Sequence, residues 1–468
     1  MKKIYFLTLI SVIGINSSAQ TVYNIDGNVL FDTNLNGCDS EDPLYPFIKL
    51  LITNNPPAST VIADNSGSYT FPVTVGPHTI TPVLENPEYF DVSPTTMGVN
   101  FPDDPNPFNQ NFCITPIGFH PDLEVLIFPL SGTVPGSDAI YKIIYRNKGN
   151  QTMTSTVTLN YPGEISDYVV SDPVLTDFTP NQLIWELPPL SPMQTGEITL
   201  TLNLNTAADT PPLSLGDEMN LTVDIAAPIN DETPIDNISS LQQFASATYN
   251  ANDKIALEGT SVTSDKIGEY VHYLIRFQNV GADPATSVSL QDIIDTSRFN
   301  IGSLIPLHSS HAFTTRISQD NQVEFLFENI NLPITPGSNE GYVVFKVRLL
   351  TSLAVGDVFT NTATIMYNSN TYTTSETSTI IESLAVNDFN IEDSITMFPN
   401  PAESQLIIKT NGTEIKSSRI YNMLGQLIMK IDGFSTSTTI DVTRLISGTY
   451  LVEIDSDKGK GSLKFIKR

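Results

Sequence analysis

Basic residues, long apolar runs and catalytic motifs are scarce in this 468-residue chain, and each shortage excludes a class of function. Residues 20–397 hold 11 Lys and Arg against 44 Asp and Glu, a balance that repels the phosphates of nucleic acid and anionic lipid. We therefore expect no nucleic-acid partner. After the N-terminus no run reaches the roughly 18 apolar residues of a transmembrane span.

The motifs of the common enzyme classes are also missing. The sequence contains no Walker loop, no Gly-x-Gly-x-x-Gly, no Cys-x-x-Cys, no His-Glu-x-x-His and no Gly-x-Ser-x-Gly. Acidic residues are numerous enough that a glycosidase-like carboxylate pair is not excluded by counting. Because small β-modules account for the whole chain, no enzyme-sized domain remains. We predict no catalytic residue, no organic cofactor and no enzymatic activity.

Cysteine is limited to Cys38 and Cys113. In an exported chain an even number of cysteines permits one bridge. A bridge between them would close a loop of about 75 residues, which stabilises a fold by at most about 4 kcal/mol in the chain-entropy account. We predict a Cys38–Cys113 disulfide, and the alternative is a pair of buried free thiols.

The first twenty residues have the pattern of a Sec signal peptide. Lys2 and Lys3 precede a largely apolar run at 4–15, which is too short to span a bilayer, and Ser17-Ser18-Ala19 supplies small residues for cleavage. We expect a mature chain that starts at Gln20. The alternative is a buried N-terminal strand.

The rest of the chain reads as tandem β-sandwiches with an internal repeat. Short alternating runs rich in Thr, Ser, Val and Ile are separated by turn residues. "YKIIYRNKGN" from Tyr141 and "YLIRFQNVGA" from Tyr273 share the motif Tyr-x-Ile-x-aromatic-x-Asn-x-Gly at an offset of 132. Downstream, "GDEMNLTVDI" from Gly216 aligns with "GDVFTNTATI" from Gly356. These landmarks predict two copies of one sandwich.

The predicted boundaries follow from these landmarks and from the change of charge near the C-terminus. They are a signal peptide at 1–19, a first β-sandwich at 20–117, repeat 1 at 118–248, repeat 2 at 249–385, a linker at 386–396 and a small β-domain at 397–468.

The last domain carries four sequence blocks in order: "MFPNPAESQLII" (397–408), "RIYNMLGQLI" (419–428), "IDVTRLISGTYLVEI" (440–454) and "KGSLKFIKR" (460–468). They resemble the type A C-terminal sorting domain of the type IX secretion system. The resemblance implies a Bacteroidetes-type bacterium, Sec export to the periplasm and transport across the outer membrane. It also implies removal of the domain by a surface peptidase, followed by release or attachment to lipopolysaccharide.

The other domains resemble modules of surface proteins. "IDGNVLFDTNLNGCDSED" (25–42) and "SGSYTF" (66–71) are similar to collagen-adhesin B-type, prealbumin-like repeats, which are spacers that often bind calcium. "NDKIALEG" (252–259) and "FENINLP" (327–333) resemble an uncharacterised β-domain that is common beside the sorting domain. That family carries no established activity. The repeats also resemble immunoglobulin-like stalk domains.

The stretch "DTNLNGCDSED" (32–42) is the candidate metal site. Hard oxygen ligands in a Gly-punctuated loop suit calcium, and Gly37 stands where such a loop turns sharply. Position twelve is Pro43 rather than a bidentate Glu, so the acidic residues after Cys38 would have to close the site. The candidate ligands are Asp32, Asn34, Asn36, the carbonyl of Cys38, Asp39 and Asp42. The alternative is a solvated turn, for which Asn, Asp and Gly are the usual residues.

The only histidine pair lies in "HSSH", His308 to His311. Two histidines three apart can share a metal or activate Ser309 or Ser310. The local pattern favours a surface loop, which is our expectation. The single tryptophan, Trp185 in "LIWELPPL", is expected to pack in the core of repeat 1 rather than to stack on a sugar.

Together these features predict a secreted or cell-surface structural or adhesin-like protein, exported by the type IX machinery and processed by its surface peptidase. Its mature part would be a spacer or stalk, with lipopolysaccharide or surface glycan as candidate partners. The alternative is an accessory protein that binds polysaccharide or host glycan.

Overall fold

The computed structural model describes residues 21–54, 58–367, 370–383, 395–410, 415–422, 426–434, 437–456 and 459–468. Their regular structure is β-strand apart from two short 3-10 helices, Pro234–Asn237 and Ser264–Lys266. The predicted all-β fold of tandem sandwiches is thus confirmed. Among these residues no helix is long and apolar enough to cross a membrane. The predicted signal peptide and residues 386–394 of the predicted linker lie outside the described residues.

The first sandwich is built from strands with a clear inside–outside alternation. In Ser68–Val73, for example, Tyr69, Phe71 and Val73 are buried, and Thr70 and Pro72 between them are exposed. Its strands are β1 (Tyr23–Phe31), β2 (Lys49–Ile52), β3 (Ala58–Ile62), β4 (Ser68–Val73), β5 (Gly76–Val83), β6 (Phe90–Ser93), β7 (Met97–Phe101), β8 (Phe108–Asn109) and β9 (Phe112–Pro116). One sheet has the order β4-β1-β9-β6, with β8 beside β1, and the other contains β3-β2-β5-β7.

Repeat 1 consists of two sheets, β10-β11-β16-β13 and β14-β15-β12-β17-β18. The strands are β10 (Leu123–Pro129), β11 (Asp138–Asn147), β12 (Thr156–Asn160), β13 (Ser166–Asp172), β14 (Asp177–Thr179), β15 (Gln182–Glu186), β16 (Thr195–Leu204), β17 (Glu218–Ile225) and β18 (Ile238–Phe244). Trp185 on β15 is buried in this core, as predicted, and its indole N–H donates to the Pro173 carbonyl at 3.1 Å.

Repeat 2 has the same plan. Its four-stranded sheet has the order β19-β21-β26-β23, and β29-β28-β22-β25-β24 faces it. The strands are β19 (Asp253–Ala256), β20 (Ser261–Thr263), β21 (Tyr270–Gln278), β22 (Val288–Ile293), β23 (Phe299–Ser309), β24 (Thr314–Ser318), β25 (Gln322–Phe327), β26 (Glu340–Leu349), β27 (Val358–Asn361), β28 (Ala363–Tyr367), β29 (Asn370–Thr373) and β30 (Thr377–Glu382).

The Asn-x-Gly of the repeated motif has the same structural role in both copies. The Asn147 side-chain amide donates to the carbonyls of Gln151 and Leu190, and its oxygen accepts from the backbone of Gly149. Asn279 makes the equivalent three bonds, to Asp283, Leu332 and Gly281. The asparagine closes the turn after the strand and ties it to a neighbouring loop, which accounts for its place in the motif.

The four-stranded sheets of the two repeats pack against each other. Leu274, Leu307 and Val344 of repeat 2 belong to the same buried apolar cluster as the core of repeat 1. The rings of Phe128 and Tyr342 lie 5.5 Å apart across this contact. Both faces of these sheets are therefore buried, which explains why consecutive residues of β10 and β26 are buried rather than every second one.

An edge strand of the first sandwich pairs with an edge strand of repeat 2. β3 lies antiparallel to β24, with Val61 opposite Arg316, and β24 also pairs with β25. One nine-stranded sheet therefore runs through both domains, in the order β29-β28-β22-β25-β24-β3-β2-β5-β7. Pairing satisfies backbone groups that an open edge leaves exposed.

Residues 383–468 form a separate compact unit. Its strands are β31 (Ile395–Phe398), β32 (Gln405–Thr410), β33 (Ile415–Asn422), β34 (Leu427–Phe434), β35 (Ser437–Asp441), β36 (Gly448–Ser456) and β37 (Gly459–Lys467). They form the sheets β31-β32-β35 and β34-β33-β36-β37. On β36 the side chains of Tyr450, Val452 and Ile454 are buried on one face, as the alternation predicts.

Candidate functional site

The acidic loop 32–42 follows β1 and is held by a disulfide. Cys38 is joined to Cys113 on β9, with a Cα–Cα distance of 5.5 Å, so the predicted pairing is present. β1 and β9 are already neighbours, with Leu30 opposite Cys113. The bridge therefore fixes the loop to the sheet from which it departs.

The carboxylates of this loop accept hydrogen bonds from the loop's own backbone. Asp32 Oδ2 accepts from Gly37 N at 3.0 Å, and Asp42 Oδ2 accepts from Asp39 N at 2.9 Å. Asp42 Oδ1 accepts from both the amide and the hydroxyl of Thr33, at 3.2 Å each. These backbone hydrogen bonds, first from Asp39 and then from Thr33, lower the pKa of the Asp42 carboxyl.

The fit of this loop to calcium is partial. Among the described residues no group of three or more His, Cys, Asp and Glu side chains is gathered around one point. Asn34 and Asp39 use their side-chain oxygens to cap the amides two residues further on, as Asx turns do. However, Asp32 Oδ1 is buried and has no hydrogen-bond partner in the described part of the chain. That oxygen has the hard donor chemistry that calcium requires.

A cleft of about 810 Å³ lies where the three sandwiches meet. The first sandwich contributes Thr33, Leu44, Phe47 and Asn65, so the acidic loop forms part of the rim. Repeat 1 contributes Asn150, Gln151, Gln194 and Glu197, and repeat 2 contributes Leu307, His308 and Ser309. The wall thus combines amide, hydroxyl, carboxylate and imidazole groups with apolar surface, a composition suited to an uncharged polar ligand.

His308 is the most constrained polar group of the cleft. Its Nε2 lies 2.8 Å from Glu197 Oε2, and its Nδ1 lies 3.1 Å from the hydroxyl of Tyr342, whose ring is stacked on the imidazole. Because Nε2 faces a carboxylate it carries the proton, so Nδ1 accepts from Tyr342. Burial lowers the pKa of His308 despite the nearby Glu197, which favours this neutral form.

The remaining groups of the HSSH motif are occupied by local hydrogen bonds. Ser309 Oγ donates to the His311 carbonyl at 2.6 Å, and Ser310 Oγ lies 2.8 Å from His311 Nδ1. Ser310 Oγ also accepts from the backbone of Tyr342. The structure differs from the expected surface loop, because His308 and Ser309 end strand β23 and line the cleft. The sequence does not predict this position, because the alternation of apolar and polar residues does not indicate which end of a strand is covered by another domain.

A residue of repeat 1 also packs into the core of the first sandwich, beside the cleft. Met193 is buried within the apolar core of the first sandwich, and its backbone has a positive φ of 62°. Asn150 donates from its side chain to the carbonyls of Tyr89 and Ile117. A non-glycine residue is held in this backbone region when surrounding contacts fix it, so the junction is a specific contact.

A buried ion network joins all three sandwiches. Glu85 belongs to the first sandwich, Glu124 and Arg146 to repeat 1, and Lys346 to repeat 2. Lys346 Nζ lies 2.9 Å from Glu85 and 2.6 Å from Glu124, and Arg146 Nη2 lies 2.8 Å from Glu85 and 2.9 Å from Glu124. Two cations thus balance two carboxylates, each cation touching both.

Each member of this network stays charged because the opposite charges beside it outweigh the effect of burial on its pKa. Burial alone would raise the pKa of Glu85, but Arg146 and then Lys346 lower it to about 2. Burial would likewise lower the pKa of Lys346, but Glu124 and Glu85 hold it above its ordinary value. A buried network of this kind orients its partners, whereas removal of one member leaves a buried charge unpaired.

The comparisons with known proteins identify the tail. The chain is a multidomain β-sandwich protein with a terminal module of its own. Residues 396–468 match the family described as secretion system C-terminal sorting domain, and residues 250–380 match a domain of unknown function, DUF7619. The sorting domain implies handling by the type IX secretion machinery and secretion to the cell surface or beyond. Neither description is of a catalytic family. No curated protein matches the chain.

Several solved structures of β-domains align over part of the chain. The C-terminal domain of the Streptococcus pyogenes antigen I/II-family protein AspA is 10% identical over 56% of this chain and 99% of that one, with a TM-score of 0.21. The Enterococcus faecalis MSCRAMM ACE is 11% identical over 55% and 94%, with a TM-score of 0.21. A CARDB domain from Pyrococcus furiosus, in complex with di-metal ions, is 14% identical over 27% and 90%, with a TM-score of 0.19.

Proposed function

We propose that this protein is a non-enzymatic structural or adhesin-like protein, delivered to the outer cell surface by the type IX secretion system. The sorting domain at residues 396–468 carries the proposal. The machinery and its surface peptidase handle that tail, and the body is then released or attached to lipopolysaccharide.

The geometry of the body refines the predicted stalk. Each of the three sandwiches contacts the other two, through the β3–β24 pairing, the packed sheets of the repeats and the Arg146–Glu85 bonds. An end-to-end array would leave the first sandwich and repeat 2 apart. The three sandwiches therefore belong to one compact unit.

Adhesion tests this role directly. Cells that lack the whole protein are expected to adhere less to a surface or to one another than wild-type cells, and the purified body added back should compete. The control is a strain that expresses the chain with the substitution Gln242→Ala, at an exposed residue that does not line the cleft. Equal adhesion by all strains would contradict the adhesin-like role.

The cleft supports a second candidate function, recognition of a neutral glycan by an accessory protein. Its amide and hydroxyl groups match the hydrogen-bonding capacity of sugar hydroxyls, and Leu44 and Phe47 supply apolar contact. We expect the purified body to retain specific sugars on a glycan array. Gln194→Ala should weaken binding about tenfold through one lost hydrogen bond, and Gln242→Ala should not. An array without reproducible ligands would remove this candidate.

Calcium remains our proposal for the loop 32–42, with the buried Asp32 Oδ1 as support. Asp32, Asn34, Asn36, the Cys38 carbonyl, Asp39 and Asp42 would hold the ion, which supplies charge balance and no chemistry. At a few millimolar calcium, a site at the tight end of the extracellular range would stabilise the body by about 2 kcal/mol. Calorimetry in calcium and in EGTA measures the shift, which Asp32→Ala should abolish. Identical melting in both solutions would contradict the proposal.

A further inference from the structure

A lysine, an aspartate and an asparagine meet in the core of repeat 2, away from the cleft. Lys254 lies on β19, Asp292 on β22 and Asn361 at the end of β27, and the side chains of Lys254 and Asp292 are 0% exposed. Lys254 Nζ bonds to Asp292 Oδ2, and Asn361 Nδ2 lies 3.4 Å from the same oxygen. One carboxylate oxygen thus contacts both the amine and the amide.

Aromatic rings seal this group from water. Lys254 Nζ lies 4.6 Å from the centroid of Tyr273 and 5.4 Å from that of Phe345, and both rings are buried. Asp292 Oδ1 and Asn361 Oδ1 have no hydrogen-bond partner in the described residues. Buried polar atoms are normally satisfied, so these two require an explanation.

The fold itself does not require these polar residues. Ile275 of repeat 2 and Ile143 of repeat 1 occupy the same position of the repeated motif. Ile275 pairs with Lys254, and Ile143 pairs with Ile127, so Lys254 corresponds to Ile127. By the alignment of the two Gly-Asp segments, Asn361 corresponds to Leu221. Ile127 and Leu221 are fully buried apolar residues. The same sandwich is thus built in repeat 1 with an ordinary apolar core.

The environment of Lys254 and Asp292 favours the uncharged form of both side chains. Burial lowers the pKa of Lys254 to about 8, although Asp292 opposes the change, and burial raises the pKa of Asp292. Both shifts favour a neutral amine beside a neutral acid. A desolvated lysine amine is a nucleophile.

We propose that Lys254 and Asn361 form an intramolecular isopeptide bond, with Asp292 as the proton carrier. The Lys254 Nζ lone pair attacks Asn361 Cγ, and a new C–N bond forms as the Cγ–Nδ2 bond breaks. Asp292 takes one proton from the amine and delivers one to the leaving nitrogen, which departs as ammonia. Asp292 ends in its starting state, and no oxidant, metal or energy source is consumed. The cross-link joins the first strand of repeat 2 to a late strand.

Peptide mapping of the purified full-length protein tests this bond. After reduction of the disulfide, the intact mass should lie about 17 Da below the mass calculated from the sequence, through loss of ammonia. Cyclisation of an N-terminal glutamine loses the same mass, so chymotryptic peptides must provide the assignment. We expect one species in which the peptide of Lys254 is joined to that of Asn361.

Variants separate this chemistry from a merely structural role. Asp292→Ala and Asn361→Ala should each abolish the joined peptide, whereas Val323→Ala, which removes volume from the same core, should retain it. If a variant fails to fold, the wild-type map still decides. Separate, unmodified peptides of Lys254 and Asn361 in the wild-type protein would overturn the proposal. A loss of about 18 Da with Lys254 joined to Asp292 would overturn the assignment to Asn361.

Discussion

Without residues 398–468 the chain is expected to remain in the periplasm, with little or none at the cell surface or in the medium. The tail is a compact unit with its own apolar core, which includes Leu406, Val452 and Phe465. Its removal should leave the three-sandwich body folded, because the cores of the body contain no described residue of the tail. Export is lost because the machinery recognises the tail.

Fractionation and surface proteolysis measure this outcome. Leu406→Asp, which places a charge in the core of the tail, should cause the same retention in a chain of full length. Glu403→Gln, at an exposed neighbouring position, is the matched control and should be exported normally. Surface display of the truncated chain would contradict assignment of the tail as the export signal.

Replacing Lys346 with methionine is expected to destabilise the body by about 3–5 kcal/mol, because a buried pair loses one member. Methionine keeps most of the length of the side chain but removes one of the two cations that bond to Glu85 and Glu124, which keep their bonds to Arg146. Since these residues come from all three sandwiches, the variant should also loosen their mutual packing. Denaturant unfolding of the purified body measures the change.

Lys142→Met is the matched control for this variant. Lys142 is largely buried and lies 3.1 Å from Glu197, whose side chain is half exposed, so water screens this pair more than the network and its loss should cost less stability. Similar losses of stability in the two variants would show that the buried network contributes no more than a partly exposed pair.

Acid should weaken the ion network that joins the three sandwiches, within a defined range of pH. The pKa of Glu85 falls from an ordinary 4.5 to about 2 in the folded protein, and that of Glu124 is lowered as well. Depressed carboxyl pKa values stabilise the fold fully above about pH 4.5, and this contribution is lost as the pH falls toward 2. In Lys346→Met the slope across this window should be shallower, which unfolding at several pH values would reveal.

Local features were predictable from the sequence because their causes lie in neighbouring residues. Alternation identifies strands such as β4 and β36, since every second side chain meets the core. The repeated Asn-x-Gly is readable because a turn needs both residues together. The disulfide pairing follows from having two cysteines, and the tail from four ordered blocks.

The candidate site was only partly predictable. The sequence predicts a calcium site in the acidic loop, but the position of this loop beside a cleft depends on repeats that lie more than a hundred residues away. Lys346 does carry a signal, because it interrupts the apolar stretch "YVVFKV" (342–347) of β26. Lys254 and Asp292 carry no such signal, since a charged residue in a strand usually faces water.

By itself the sequence determined the all-β class, the repeat, the paired cysteines and the secretion tail. The tertiary structure alone decided that β3 pairs with β24, that the repeats bury both faces of their sheets, and that four charges from three domains meet. Periodicity specifies which side of a strand is apolar, whereas the partner that covers an edge or an outer face is chosen by long-range packing. For that reason the three sandwiches, which the sequence predicts as consecutive modules, pack together into one body.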